Sequence, residues 1–485
     1  MTVRRLAAIV MVCAFALVVC TSSVALANSA RMHWEGVSSP GAMAIDEDCP
    51  VVVEGEKLVF DVVDFPEAYY GIDGDPASYA STVTAAYEFL NPADYAVSMT
   101  LAFPFGVLPD YLMDAYYETT KVELDRLLEG GVGVWVDGKQ VELTLRHTYF
   151  SPYRYFDVTQ DLSLLESGYV HDSFYAPDLP VTKYTYRISG VAEDDYAATI
   201  GFRWMLRDDA KIMLINQSGL QWCEDNQDDV IVNTWAESGG LVEVYVFGSA
   251  PDDLAAVLYE DGSCETTLDA TAELVDVSNL AFADIAFMSW SDETSVLKHD
   301  WYNAMVAYMR HCESEAEGIV MDTMYQGVGE NFDLSGMLLR WYQYDLDFEA
   351  GQRLSNSVIA PLYPSINLEM EPPVYGYEYL LSPAQLWSDF KSLHIVINTP
   401  YCLVESNLEG FKPLDCEEGY ALSLEGLPQS ELEFVLSTSE NPKEPFLGSD
   451  AGYVFALFAP LVGLLLLGVL VVVLFMRIFT KKSCG

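Results

Sequence analysis

Residues 83–105 read VTAAYEFLNPADYAVSMTLAFPF. Two runs of aromatic and β-branched residues flank the tetrapeptide Asn91-Pro92-Ala93-Asp94. A period of two puts Tyr87 and Phe89 on one face of the first run, as a half-buried strand requires. Asn91-Pro92 ends that run, because proline has no N–H to give to a ladder. The pattern predicts two strands joined as a hairpin, with Pro104 at an edge or bulge. It assigns the hairpin to scaffold rather than to chemistry.

The same pattern spreads outward from this stretch. KLVFDVVDF (57–65) precedes it, and VGVWVDGKQVELTL (132–145) follows it. In the latter, Val132, Val134 and Val136 alternate up to Asp137-Gly138, and Val141, Leu143 and Leu145 alternate away. Asp-Gly tolerates the positive φ angles of a tight type I′ turn. KYTYRIS, AATIGFRW and LVEVYVFG extend the pattern to about residue 250. PDDLAAVLY (251–259) then reads as helical. So does ETSVLKHDWYNAMVAYMRHCE (293–313), where Leu297, Trp301, Ala304, Met305, Tyr308 and Cys312 share one face, with Ser291 and Asp292 as N-cap candidates. Strands return at MLLRWYQYDLDF, GQRLSNSVIAPLY, YGYEYLLS, LHIVINTPY and ELEFVLST. SPAQLWSDF reads as a short helix opened by Ser382 and Pro383.

The pattern V..AYEFLNPADYAVSMTLAFPF followed by VGVWVDGKQVEL resembles the vault protein inter-alpha-trypsin type of β-sandwich. The chain also resembles an uncharacterised family of exported, membrane-anchored bacterial β-sandwich proteins. That family's later Y-x-Y-x-L…A-x-x-W-x-x-F element is matched here by Tyr377, Tyr379, Leu381, Ala384, Trp387 and Phe390. The first likeness covers about residues 80–145 and the second about 375–400. The resemblance implies architecture and location, and it brings no catalytic residues with it.

The two ends read as targeting segments. Arg4 and Arg5 precede the apolar run Leu6–Val19, and Ala25-Leu26-Ala27 supplies small residues for cleavage after Ala27. Cys20 leaves lipidation as an alternative, although Val19 is bulky for the position before a lipidated cysteine. An uncleaved N-terminal anchor is the other alternative. Near the C-terminus, Ala451–Met476 has no charged residue and would span about 39 Å as a helix, enough for a hydrocarbon core of roughly 30 Å. Arg477, Lys481 and Lys482 follow it and place the tail in the cytoplasm. The expectation is a single-pass protein of the cell membrane with its bulk extracytoplasmic.

Charge agrees with that placement. The chain has 73 acidic and 24 basic residues and a formal net charge of −49. None of the acidic residues falls within the two terminal segments, which hold five of the basic ones, so the exported part is more negative still. Such a surface repels nucleic acid and anionic headgroups and favours cations or basic partners. Solubility in a salty or cation-rich exterior is the simpler explanation and the one favoured.

The expected fold class is mainly β: two β-sandwich domains with a helical insertion, plus a C-terminal transmembrane helix. The segments are a signal peptide (1–27), an N-terminal sandwich (28–250), a helical insertion (251–330) and a C-terminal sandwich (331–438). A linker (439–450), the membrane helix (451–476) and a cytoplasmic tail (477–485) complete the chain.

Six cysteines lie in the exported part, an even number in a compartment that permits disulfides. Cys402 with Cys416, which flank a turn-rich stretch, is the first candidate pair, and Cys223 with Cys264 the second. Buried free thiols are the alternative. None has zinc-finger spacing. Acidic clusters offer oxygen ligands for calcium, and Glu224, Asp225, Asn226, Asp228 and Asp229 form the first choice, with a solvated loop as the alternative. No HExxH, Gly-rich phosphate loop or G-x-S-x-G elbow occurs, and the six histidines are scattered. These features point to a non-enzymatic binding or interaction module at the cell envelope, with an envelope protein or glycan as partner and no nucleic acid. An envelope hydrolase (glycan or peptide) built from dispersed carboxylates and a structural spacer are the alternatives.

Overall fold

The structure is a computed structural model. It describes residues 43–44, 49–65, 81–105, 131–150, 158–166, 168–192, 195–223, 229–252, 254–291, 295–313, 318–320, 334, 337–381, 384, 387, 389–415 and 418–443. The expected signal peptide, membrane helix and cytoplasmic tail lie outside these residues, as does most of the linker. Among the described residues no helix is long and apolar enough to cross a membrane.

The first elements are β1 (Met43–Ala44), β2 (Val52–Asp61), β3 (Ser81–Leu90), β4 (Val97–Phe105), β5 (Gly133–Val136), β6 (Lys139–Gln140), β7 (Thr144–Tyr149) and helix α1 (Val158–Glu166). The middle of the chain forms β8 (Pro180–Ser189), β9 (Thr199–Met205), β10 (Ala210–Leu214), β11 (Gly219–Trp222), β12 (Asp229–Trp235) and β13 (Leu241–Gly248). It continues through β14 (Ala256–Tyr259), β15 (Thr271–Ala281), helices α2 (Phe282–Ala286) and α3 (Lys298–His311), and β16 (Ile319–Val320). The last strands are β17 (Leu338–Phe348), β18 (Arg353–Leu362), β19 (Ser365–Asn367), β20 (Val374–Tyr379), β21 (Ser392–Asn398), β22 (Cys402–Ser406), β23 (Lys412–Pro413), β24 (Gly419–Glu425) and β25 (Leu432–Ser437).

The protein is mainly β, and its sheets mix the two ends of the chain. An eight-stranded sheet in the order β23-β24-β21-β2-β3-β18-β5-β6 shares one core with two four-stranded sheets, β1-β4-β17-β7 and β19-β20-β25-β22. Phe60 of β2 meets Phe434 of β25, and Phe89 of β3 meets Phe348 of β17, each edge-on. The middle of the chain builds a second unit. There the five-stranded sheet β15-β8-β13-β10-β16 faces the four-stranded sheet β11-β12-β9-β14 across one core. Its other face packs on α2 and α3 across another.

The boundaries expected at 250/251 and 330/331 therefore do not follow the sheets. β2, β3 and β5 pair with strands from beyond residue 350, so residues 28–250 do not close a sandwich by themselves. The expected helical insertion holds α2 and α3 but also β14 and β15. PDDLAAVLY is not a helix: Ala256–Tyr259 pairs antiparallel with β9. The tertiary ladder overrides the helical propensity of its alanines and leucines.

The stretch at 83–105 is not a hairpin. β3 pairs with β2 and β18, whereas β4 pairs with β1 and β17 in a different sheet. The NPAD corner carries the chain from one sheet to the other, forming an arch. Asn91 is fully buried, and its Oδ1 accepts from Ala93 N at 3.0 Å, a local turn that sets the change of direction. β17 and β18 repeat the arch, and the two corners stack through Gly351 N donating to Ala93 O at 3.1 Å. Pro104 sits within β4, opposite Trp341.

Two local readings hold. Asp137 and Gly138 have φ of 46° and 75°, as the Asp-Gly turn demands, and β5 pairs with β6 around them. Helix α3 forms and buries Trp301, Ala304, Met305 and Tyr308, with Cys312 just beyond it, but it buries Tyr302, Asn303, Val306 and Met309 too, and Leu297 is exposed, so the buried surface is wider than the expected face. Its N-cap is Leu297 rather than Ser291, and Asp292 lies outside the described residues. At the expected short helix, Ala384 N and Trp387 N bond back to Leu381 O and Ala384 O, while Ser382 and Pro383 are outside.

Candidate functional site

Of the acidic loop, Glu224, Asp225, Asn226 and Asp228 lie outside the described residues. Asp229 opens β12 and is buried, and its Oδ2 accepts from Arg203 Nε at 2.7 Å and from Arg203 Nη2. Its carboxylate already has a cationic partner. Among the described residues no group of three or more His, Cys, Asp or Glu is arranged to hold a metal ion.

The cysteine pairs fare differently from each other. Cys402 is a free thiol, and Cys416 lies outside the described residues. Cys223 and Cys264 are both free and are not bonded to one another. Cys223 N donates to Asp229 O, whereas Cys264 Sγ accepts from Asn233 Nδ2 at 3.4 Å.

Two buried polar centres are not legible in the sequence. The first is Glu56. Glu56 shares the inward face of β2 with Leu58 and Phe60, and a bulge between Val53 and Gly55 shifts the pleat so that Val53 faces inward too. The residue is 3% exposed. Burial pushes its carboxyl up to about 7, against the opposing pull of its cross-strand neighbour Tyr87. Tyr87 and Tyr379, both fully enclosed, are raised well above the usual phenol range by burial and then by the Glu56 charge. The groups that surround Glu56 are thus phenols. At this depth a solute reaches the carboxyl only if the sheets part.

The second centre ties the two units together. Asp300 of α3 is 1% exposed and accepts from Arg146 of β7 through Nε at 3.0 Å and Nη2 at 2.9 Å. Its Oδ2 also accepts from the backbone N of His147 at 2.9 Å, satisfying an edge donor of β7. Arg146 Nη1 donates to Leu165 O of α1 at 2.7 Å. His147, opposite Arg340 in the ladder, has its pKa pushed down to about 3 by burial and then by Arg340 and Arg146. The imidazole is neutral at physiological pH. Every oxygen of Asp300 is engaged within the protein, which makes this centre a structural joint.

The accessible feature is the edge of the five-stranded sheet. β15 is 11 residues long and ends its sheet, paired with β8 on one side. Other sheet-ending strands run from two residues, as in β1, β6, β16 and β23, to six in β7. α3 covers β7 through Asp300. Short or covered edges, bulges and charges are how β proteins avoid pairing with strangers; among the described residues β15 is neither short nor covered, and it carries one bulge and two carboxylates.

The faces of β15 are distinct. Ala272, Leu274 and Val277 lie opposite Ile188, Tyr186 and Tyr184, which are core residues of the sandwich. Yet Leu274 and Val277 are 46% and 47% exposed, because the facing sheet ends at β14. Val275, at the bulge between Leu274 and Asp276, is exposed too. On the opposite face Glu273 lies across from Arg187, Asp276 from Thr185 and Ser278 from Lys183. Among the described residues the site is an apolar ledge with an unpaired strand edge and an acidic reverse.

No family model matches the chain, and no curated protein matches it. Among solved structures, a protein of Legionella pneumophila provisionally described as nutrient-binding is similar at 10% identity and a TM-score of 0.27. The match covers 83% of this chain and 72% of that one. A likeness at that score carries no argument about fold or function.

Proposed function

We propose that this chain is a single-pass, membrane-anchored module whose bulk stands outside the cytoplasm and which binds an envelope protein without catalysing a reaction. The observation that carries the reading is β15, an 11-residue sheet edge with Leu274, Val275 and Val277 exposed along it. Backbone donors and acceptors at a sheet edge match the spacing of another strand, so they favour a polypeptide over a glycan. The apolar run 451–476 with its following basic residues, and the N-terminal export-type segment, support the location.

Photo-crosslinking on intact cells tests it. A benzophenone amino acid replaces Val277 in the full chain, and a control chain carries it at Leu368, which is 52% exposed beyond β19. The expected result is a discrete adduct from position 277 and none from 368. No adduct at 277, or the same adducts from both positions, overturns the proposal.

A further inference from the structure

We infer that the occupant of the β15 edge is an extended, Lys- or Arg-bearing segment of a partner protein that adds as a sixth strand to the five-stranded sheet. This rests on the reading that β15 is a binding edge, and it adds the chemistry of what binds.

Three observations lead to it. Thr271–Ala281 contains Glu273 and Asp276 and no basic residue, within a chain of net charge −49. The neighbour that β15 already has shows what such a strand accepts: β8 carries Lys183 and Arg187, and Arg187 lies opposite Glu273. A strand on the free side meets the same two carboxylates from the other flank. Opposite charges across a ladder stabilise it and like charges oppose it.

The same charges argue against a second copy of this chain. Two β15 strands pairing antiparallel about their midpoint would set Asp276 directly against its own equivalent. Shifting the register brings Glu273 against Asp276 instead. Both arrangements oppose carboxylates without a cation between them, and they join two strongly negative molecules. The apolar ledge of Leu274 and Val277 then specifies the alternate positions of the occupant. Side chains on its sandwich-facing side are apolar and extend the core beyond β14, while those on the other face are basic.

Peptides that copy β8 provide the test. One is the labelled nonapeptide VTKYTYRIS, the sequence of Val181–Ser189. The other carries glutamate at the positions of Lys183 and Arg187. Binding to the full chain in nonionic detergent is followed by fluorescence anisotropy, with amide hydrogen exchange reporting which backbone is protected. The expected result is saturable binding of the basic peptide, roughly tenfold tighter than the acidic one. Protection should be confined to residues 271–281, and the Glu273→Lys/Asp276→Lys chain should reverse the charge preference. Both carboxylates are exposed, but Glu273→Lys faces Arg187, so the single Asp276→Lys chain, opposite Thr185, accompanies it and should weaken the basic peptide relative to the acidic one by itself. Equal binding of both peptides with protection of β15 overturns the basic-partner inference and leaves the binding edge standing. No binding of either up to about 1 mM removes both. Sedimentation showing a dimer that Asp276→Lys alters would assign the edge to a second copy and overturn the inference.

Discussion

The side-chain amide of Asn91 joins two corners of the fold across 258 residues: its Nδ2 donates to the Glu349 carbonyl oxygen at 3.0 Å. The same nitrogen donates to Tyr95 O at 2.9 Å, while Oδ1 holds Ala93 N. One buried side chain thus sets its own arch and fastens it to the arch between β17 and β18. Replacing Asn91 by alanine removes three hydrogen bonds and takes the donor from the Tyr95 and Glu349 carbonyls, a cost of about 2–4 kcal/mol. Asn91→Asp keeps the bond to Ala93 N and loses both donations. Urea unfolding should rank the wild type above both variants, and a change below about 0.5 kcal/mol would show that the corner is held by other contacts.

Glu56 makes stability fall as pH rises. Its carboxyl titrates near 7 in the folded chain against 4.5 when free of the fold. The folded state therefore holds the proton more tightly. This contribution is fully present below pH 4.5, is lost between 4.5 and 7, and is absent above. The difference corresponds to roughly 3 kcal/mol. Glu56→Gln should flatten the stability profile across that window and raise stability at pH 8. Chemical unfolding at pH 4.5, 6 and 8 measures it, and an unchanged profile would mean that the carboxyl is hydrated in the folded chain.

The joint between the two units depends on charge pairing. Arg146→Met leaves Asp300 buried beside one backbone donor and His299, whose Nε2 lies 3.2 Å from Oδ1. A loss of about 3–5 kcal/mol is expected, and Asp300→Asn should cost a similar amount. The double variant should lose markedly less than the two losses added together, because each single change strands the other partner. Additive losses in thermal unfolding would show that the pair does not interact.

The Asp137-Gly138 turn gives a smaller, local test. At φ of 75° an added Cβ is strained even though nothing lies within 4 Å to obstruct it. Gly138→Ala should cost about 1 kcal/mol from backbone conformation alone. A neutral result in thermal unfolding would mean that the turn relaxes to another type.

Short-range signals carry as far as local physics reaches. The Asp-Gly turn, the alternation around it and the apolar face of α3 are each fixed within about a dozen residues, and the sequence displays them. Where an element goes in space is a different question. Asn91-Pro92 states that a strand ends and the chain turns, but not which sheet receives the next strand. The pairing of β3 with β18 is invisible to any local window for the same reason. Alternation back from Phe60 and Leu58 does put Glu56 on the inward face, but composition argues against burying a carboxyl, and the bulge that also turns Val53 inward has no sequence signal. β15, TAELVDVSNLA, lies between segments of helical periodicity, which draw the whole region toward a helical reading. The role proposed for it rests on its lying last in its sheet, a property of topology rather than composition.

The interleaving of the two chain ends also orders events in time. A chain that emerges N-terminus first presents β2, β3 and β4 long before β17, β18 and β21 exist to pair with them. The middle unit draws the strands of both its sheets from residues 180–320, so it can assemble while the outer sandwich is still a set of unpaired strands. Distant pairing is slow to form and exposes sticky edges while it waits. The pairing leads to the expectation of two stages in maturation, an early compact centre and a later closure once the second arch is present. Over that interval β2, β3 and β4 would expose edges that the finished molecule keeps paired.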